Sequence, residues 1–419
     1  MTHEFTQYSD PERIEKAIAT LSSFTEPDRP FTRLVFSPEF GTARGWLKEQ
    51  FEAANLECHI DAGGNLVGIR KAAGTGKAIK KVIIGSHSDT VAAGGRFDGI
   101  AGLIAGLETI HYLNQKDIDL PFDIELVDFL GEELNVWGIS CLGSRHMAGL
   151  LNNDILSRVD QNGRQLGQEI LKAGGAGKAA TGARPDAETI LACFEVHIEQ
   201  ADRLEREQID IGVVTDIPGI HRYLITVTGQ AGHSGTTRMS GRKDALVTAS
   251  HIITATEEFA SLIETTDNKH FVATIGKIDV WPNGAATVPG EVKMVLDMRA
   301  SSDHSRDIFL QKLQSRIERI STSKSCIITT ELISSTGVAH MDGVLRQKLS
   351  RSAESLKLSH INLSSGAGHD MAYLSRIAPA AMIFIPCKEG LSHCPEEFTT
   401  SQAIARGSAV LTHTVLSLL

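Results

Sequence analysis

The sequence predicts an α/β fold interrupted by a compact α+β unit, on three observations. Apolar runs rich in β-branched residues, such as Val82-Ile83-Ile84, alternate with helical patterns in residues 1–211 and again in 331–419, which implies a largely parallel sheet. Between residues 212 and 330 the pattern changes to alternating strands with two long helical stretches, as expected of helices on an antiparallel sheet. Finally, His, Asp and Glu recur just past the ends of the apolar runs, where α/β sheets keep their chemistry.

Taken in order, Asp10 to Ser23 reads as an amphipathic helix. Ile14, Ala17, Ile18 and Leu21 share one face, Asp10 is placed to cap it and Pro11 to occupy its first turn. Thr42 to Ala54 repeats the helical pattern, and Leu56 to Ile69 reads as a hairpin around Gly63-Gly64. Lys71 to Lys80 reads as a turn, since it lacks the GxxxxGK[ST] spacing of a phosphate loop. The run from Val82 then drives into Gly85, Ser86 and His87. Asp98 follows, and a helix from Ile100 to Leu113 carries small residues (Ala101, Gly102, Ala105, Gly106) suited to close packing on a sheet.

A strand at Phe122 to Leu130 delivers Gly131, Glu132 and Glu133. After a polar surface excursion (Ile155 to Thr189), a strand at Leu191 to Ile198 carries His197. The interrupting unit reads as strands at Tyr223–Val227, Phe271–Val280, Glu291–Met298 and Cys326–Leu332, with helices at Arg242–Phe259 and Asp303–Ile320. The α/β character then resumes with a helix at Val344–Leu356, a strand at Ala380–Ile385 and a last helix at Ser401–Leu418.

Composition bounds the function. With 419 residues, 42% hydrophobic and 22% charged, the chain is long enough for two domains with separate cores. Its net charge of -10 and scattered basic residues argue against a nucleic-acid partner. No signal-like leader and no apolar run of about 18 residues occurs, so a cytoplasmic protein with no membrane partner is expected. Six cysteines without a CxxC pair read as reduced thiols, and Cys394 beside His393 has no further signature of a nucleophile.

A lone histidine is more often a hydrogen-bonded core or surface residue than a ligand, and an isolated Glu-Glu pair more often a solvated turn. The ordered set is different. His87, Asp98, Glu133, His197 and His393 offer the imidazoles and carboxylates that two divalent ions need, with Asp98 the natural shared ligand. Zinc, manganese, cobalt and nickel all suit these donors. Asp89, two residues beyond His87, is placed to accept the imidazole's other N–H. Glu132 and Glu133 should point to opposite sides, so Glu133 can hold metal while Glu132 acts as general base toward a water that metal acidifies.

The segments GSHSDT, GGRFDG, GEE, LGSRHMAG, EVHIEQ, IGVV, VTGQAGHSGTTRM, MRA, SGAGHD and IFIPCKEGLSHCPEE, in this order, resemble the allantoate amidohydrolase and N-carbamoyl-L-amino-acid hydrolase (hydantoinase/carbamoylase) family of di-metal aminoacylase-like peptidases. The resemblance covers nearly the whole chain. It implies a di-zinc-peptidase-like catalytic domain (1–211 and 331–419), an inserted lid and dimerisation domain (212–330), and a homodimer. It also implies two divalent metal ions per subunit on the five residues above, with Glu132 as base. His233 would then stabilise the oxyanion, from the partner subunit, and Arg299 would grip a substrate carboxylate. Gln200, Ser365, Gly366 and Gly368 are implied as further substrate contacts.

Four positions depart from the family's pattern: Ala286 replaces an Asn, Ala201 a Gly, His221 a Gln and Arg238 a Pro. The metal chemistry does not depend on them; substrate choice does. The expected activity is hydrolysis of a linear C–N bond in a small anionic ureido or amide substrate, an N-carbamoyl amino acid or related ureido acid. The alternatives are an N-acyl amino acid hydrolase or dipeptidase on the same scaffold and a non-catalytic, metal-stabilised binding protein. Glu132 argues against the last, because binding alone needs no free base.

Overall fold

The computed structural model describes residues 4–73, 80–180, 182, 184, 186–267 and 270–419, so most of the expected Lys71 to Lys80 turn lies outside the described residues. The chain forms two compact units. The first comprises Met1–Thr215, His340–Leu363 and His369–Leu419, and the second Asp216–Ala339 with Ser364–Gly368. These limits correct the boundaries at 212 and 330. Ile211–Val214 is a strand of the first unit, paired with His360–Leu363 and Ala380–Ile385. Residues 331–339 and the loop holding Ser365, Gly366 and Gly368 belong to the second unit; the loop is tied there by the Ser365 N–H to the Asp216 carbonyl at 2.9 Å.

The first unit is built on eight strands: β1 (Glu57–Ile60), β2 (Leu66–Arg70), β3 (Lys80–His87), β4 (Phe122–Phe129), β5 (Ile190–Ile198), β6 (Ile211–Val214), β7 (His360–Leu363) and β8 (Ala380–Ile385). Their order is β1-β2-β4-β3-β5-β8-β6-β7. The centre, β4-β3-β5-β8, is parallel. The β1-β2 hairpin joins β4 antiparallel, and β6 runs against β8, so the sheet is mixed rather than uniformly parallel. Every residue of β4 and β8 is buried, as expected of strands covered on both faces.

Local sequence explains the helices that flank this sheet. In α1 (Pro11–Ser23) the Asp10 carboxylate accepts the Glu12 and Arg13 N–H groups while Ile14, Ile18 and Leu21 turn inward. In α2 (Pro38–Ala53) the Ser37 hydroxyl plays the capping part, and Arg44 reaches inward to pair with buried Asp128 at 2.7 Å. The central α3 (Ile100–Gln115) lies so close to the sheet that a Cβ on Gly102 would sit 2.2 Å from the Val196 carbonyl oxygen. Closing the layer are α4 (Gly343–Ser355) and α5 (Ser401–Leu416).

The second unit has four antiparallel strands in the order Phe271–Trp281, Glu291–Ala300, Gly219–Thr228, Ile327–Ser335. Helices Ala245–Asp267 and Asp303–Lys324 complete a separate core with Ile225, Val227, Met294, Leu296 and Phe309 at its centre. Among the described residues no helix is long and apolar enough to cross a membrane, and all six cysteines are free.

Candidate metal centre

β3 ends at His87, and Asp98 lies in the loop that returns to α3. Gly99 makes that return possible: its φ is +67°, and a Cβ there would come within 2.5 Å of the His87 ring. One oxygen of Asp98, Oδ1, lies 3.0 Å from His197 Nε2 and 3.4 Å from His87 Nε2. The other, Oδ2, lies 3.0 Å from His393 Nε2, which is also 3.2 Å from Glu133 Oε1. Two groups of potential ligands, His87-Asp98-His197 and Asp98-Glu133-His393, therefore share one carboxylate.

Glu132 and Glu133 follow β4 and go to different partners. Glu132 Oε2 is 3.7 Å from His87 Nε2, and Cys141 donates its thiol hydrogen to Glu132 Oε1 at 3.4 Å. The Asp89 carboxylate accepts the Glu132 and Glu133 N–H groups at 3.2 Å each. Asp89, expected to accept the imidazole's other N–H, meets His87 Nδ1 through its backbone carbonyl at 3.1 Å, with its carboxylate standing 3.7 Å from the same nitrogen. The reason is that β3 stops at His87, which frees the chain to turn its carbonyl toward the ring. For His197 the same part is played by the Ile198 carbonyl, 2.9 Å from Nδ1. Both rings thereby turn Nε2 toward Asp98.

Sequence reasoning missed Glu397. Fully buried, it accepts the Phe97 and Asp98 N–H groups on Oε1 at 2.8 and 3.0 Å, and the Ser392 hydroxyl on Oε2 at 2.8 Å. It thus clips the loop carrying Asp98 to the loop carrying His393. The only available signal was its place in the CPEE run. Also missed were Asp370, which accepts the Ser144 hydroxyl at 2.5 Å, and Glu195, which accepts that of Ser86 at 2.9 Å and groups with His197 and His369.

The electrostatics favour a cation. Hydrogen bonds to Asp98 and Glu133 push His393 up to about 11. Burial would lower His87 and His197, yet the bond to Asp98 holds both above the ordinary imidazole value. Burial would raise Asp98, but hydrogen bonds from His197, His393 and His87 hold it well below the usual carboxylate range. Burial pushes Glu132 well up, against the pull of His87 and with the push of Glu133 and Asp370. Clustered carboxylates thus draw protons onto their imidazoles, and the donor set of imidazole nitrogen and carboxylate oxygen fits a divalent ion in place of those protons.

A family model described as Peptidase family M20/M25/M40 matches residues 83–417. The chain belongs to that family. This M20 chain is 32% identical over 406 residues to the N-carbamoyl-L-amino-acid amidohydrolase of Paenarthrobacter aurescens, covering 97% of each. It is also 32% identical over 387 residues to the allantoate amidohydrolase of Bacillus subtilis, covering 92% of each. The crystal structure of a hydantoinase/carbamoylase family amidase from Burkholderia multivorans matches at a TM-score of 0.85 and 32% identity, with 98% of each chain covered. The M20 chain is thus an amidohydrolase of the carbamoylase and allantoate amidohydrolase type, a hydrolase of C–N bonds other than peptide bonds.

Of the remaining expected site residues in this M20 chain, Gln200 lies in the first unit and donates to Asp98 Oδ2 at 2.9 Å and to Ser392 at 3.1 Å. The others lie in the second unit. Arg299 is held by Asp297 at 3.2 Å and donates to the Gly366 carbonyl at 3.1 Å, so these two expected contacts are neighbours. Gly368 approaches Ile220, where a Cβ would be 3.3 Å from its side chain. Exposed His233 pairs across a two-residue ladder with Thr287, and the Ser234 N–H donates to the Ala286 carbonyl at 3.0 Å. His221 is occupied by Ser335 at 2.9 Å, whereas Arg238 and Ala201 are exposed.

Proposed function

We propose that the chain is a metal-dependent amidohydrolase that cleaves the ureido or amide C–N bond of an N-carbamoyl amino acid or related ureido acid. The observation that carries this reading is Asp98, whose two oxygens serve two separate groups of potential ligands. His87, Asp98 and His197 would hold one ion, and Asp98, Glu133 and His393 the other. Bound divalent ions would supply Lewis acidity, polarising the scissile carbonyl and acidifying water. Glu132 takes the proton from attacking water and returns it to the leaving nitrogen, a task suited to a carboxyl whose burial already raises its proton affinity. Cys141 and the Asp89 carboxylate keep Glu132 in place.

In the second unit, Arg299 grips the substrate carboxylate, and His233 donates to the developing oxyanion. Gln200, Gly366 and Gly368 complete the substrate contacts. Support for a homodimer through this unit comes from its edge strand, where Ile327, Leu332 and Ile333 are all more than half exposed. The relatives' names support the ureido substrate class. The test is ammonia release from N-carbamoyl amino acids, allantoate and ureidoglycolate, before and after chelation. Activity should vanish in metal-free protein and return with Mn, Co, Ni or Zn. Full turnover in protein shown by elemental analysis to be metal-free would overturn the reading.

A further inference from the structure

Beside Glu133 the first unit holds a cavity of about 270 Å³ that has no part in the proton transfer described above. Asp89 and Glu133 form part of its wall, and Val35, Phe36, Leu134 and Trp137 supply much of its apolar surface, together with Val136. Leu134 and Val136 follow closely on Glu133, yet they are 57% and 55% exposed. A single exposed aliphatic residue needs no explanation. Two on one short loop, lining the same concavity next to the candidate ligands, point to an apolar occupant.

Most of the polar groups in its wall are already engaged. Phe36 and Trp137 meet edge to face at 5.6 Å, the Trp137 indole N–H donates to the Arg164 carbonyl at 2.8 Å, and the Arg164 guanidinium lies over the same ring. The Ser37 hydroxyl accepts the Phe40 N–H, the Thr90 hydroxyl accepts that of Arg33, and the Asp89 carboxylate accepts those of Glu132 and Glu133. Asn135 turns Oδ1 to the Trp137 N–H and leaves its buried Nδ2 without a hydrogen-bond partner. A polar side chain entering here would lose its water and meet few free partners. The volume also falls below the roughly 300–1,000 Å³ of sites that enclose a whole ligand, so it suits one side chain with the reacting end left beside Glu133.

We propose that this cavity is the subsite for the substrate's own side chain and selects an aliphatic or aromatic one, of leucine to phenylalanine size. The proposal rests on the hydrolytic reading above. The experiment compares kcat/KM of the metal-loaded enzyme for N-carbamoyl-L-leucine, N-carbamoyl-L-phenylalanine, N-carbamoyl-L-aspartate and N-carbamoylglycine, in wild type and in the doubly substituted Leu134→Ser, Val136→Ser protein. The leucine and phenylalanine derivatives should exceed the glycine derivative about tenfold or more, and the double substitution should cut that ratio by a similar factor, chiefly through KM. A glycine or aspartate derivative as best substrate, or an unchanged ratio, would overturn the subsite. So would loss of a dimer in the double variant with the ratio unchanged, since the face would then cover a second copy.

Binding is read separately. N-carbamoyl-L-phenylalanine should shift the tryptophan fluorescence of Glu132→Gln, and adding Trp137→Phe should remove the shift. If that shift is seen but wild type hydrolyses none of the four compounds, the hydrolytic reading fails and the subsite stands. If hydrolysis proceeds without side-chain preference and no shift is seen, the subsite fails and the hydrolytic reading stands.

Discussion

The loops around Asp98 and the strands around Arg299 hold their side chains in different ways. Asp98 is buried, with three imidazoles, Gln200 and Ser392 on its carboxylate and Glu397 on its backbone. Among the described residues, the side chain of half-buried Arg299 is tied to Asp297 and the Gly366 carbonyl, and that of exposed His233 has one local bond, from the Gly235 N–H. Where many bonds converge, no single neighbour decides the position; where one or two do, a substitution nearby moves the group. The metal centre of the first unit is therefore suited to keep one chemistry, and the loosely held groups of the second to let the grip on the substrate's carboxylate drift. Three of the four departures, Ala286, His221 and Arg238, fall in the second unit, and Ala201 in the first.

The largest effect should come from the centre itself. Glu132→Gln should retain both metals by elemental analysis and lose on the order of 10²-fold or more in kcat, the scale of a removed general base. Metal loss in that variant, with retention in Glu133→Gln, would reverse the two roles. Glu397 tests whether the centre is held by more than its ligands. Removing it as Glu397→Ala strands the Phe97 and Asp98 N–H groups, and metal affinity measured by competitive chelation should fall about 10- to 100-fold. Glu397→Gln keeps an acceptor and should restore most of it; equal losses in the two would mean that charge, rather than the clip, matters.

On the loosely held side, Arg299→Ala should raise KM for anionic substrates about ten- to a hundredfold, since a hydrogen bond to a charged group contributes roughly 1.5 to 3 kcal/mol. Metal content should not change. An unchanged KM would show that the carboxylate is bound elsewhere.

The smallest effect belongs to the opposite end of β3, where Lys81, Arg184, Glu125 and Asp186 form one network. Burial would raise Glu125 and Asp186, but hydrogen bonds from Arg184 and Lys81 hold both below their ordinary values. A depressed carboxylate stabilises the fold above its unfolded pKa of about 4, and that contribution is lost as pH falls through the lower folded value. Arg184→Met should therefore lower the thermal midpoint by a few degrees at pH 7, with a gap that narrows below about pH 4. A gap independent of pH would mean that Arg184 acts by packing alone.

The sequence showed a good deal of this. The strand ends carrying His87 and His197 were legible because apolar runs, Val82 to Ile84 and Leu191 to Phe194, lead toward them, and the α/β class followed from the alternation of such runs with helical patterns. β6 and β7 were not: four residues each are too few to show a period, so the first boundary was set at 212 instead of 216. The separation of Gly366 and Gly368 from their flanking sequence was equally hidden, since the tie from Ser365 to Asp216 is a backbone bond that no side chain announces. Glu397 escaped for a related reason. A carboxylate that accepts backbone N–H groups needs no particular neighbours in sequence, whereas ligands announce themselves by residue type.

The position of β8 in the sheet has a consequence for how the protein is made. This strand, Ala380–Ile385, lies between β5 and β6, so the middle of the sheet stays open until residues 380–385 have left the ribosome. Until then β5 presents an unpaired edge made of apolar residues, a template for wrong partners. His393 and Glu397 emerge later still. Folding of the first unit must therefore wait until β8 has been made, and a nascent chain stalled after the second unit would be open to aggregation and without a complete ligand set.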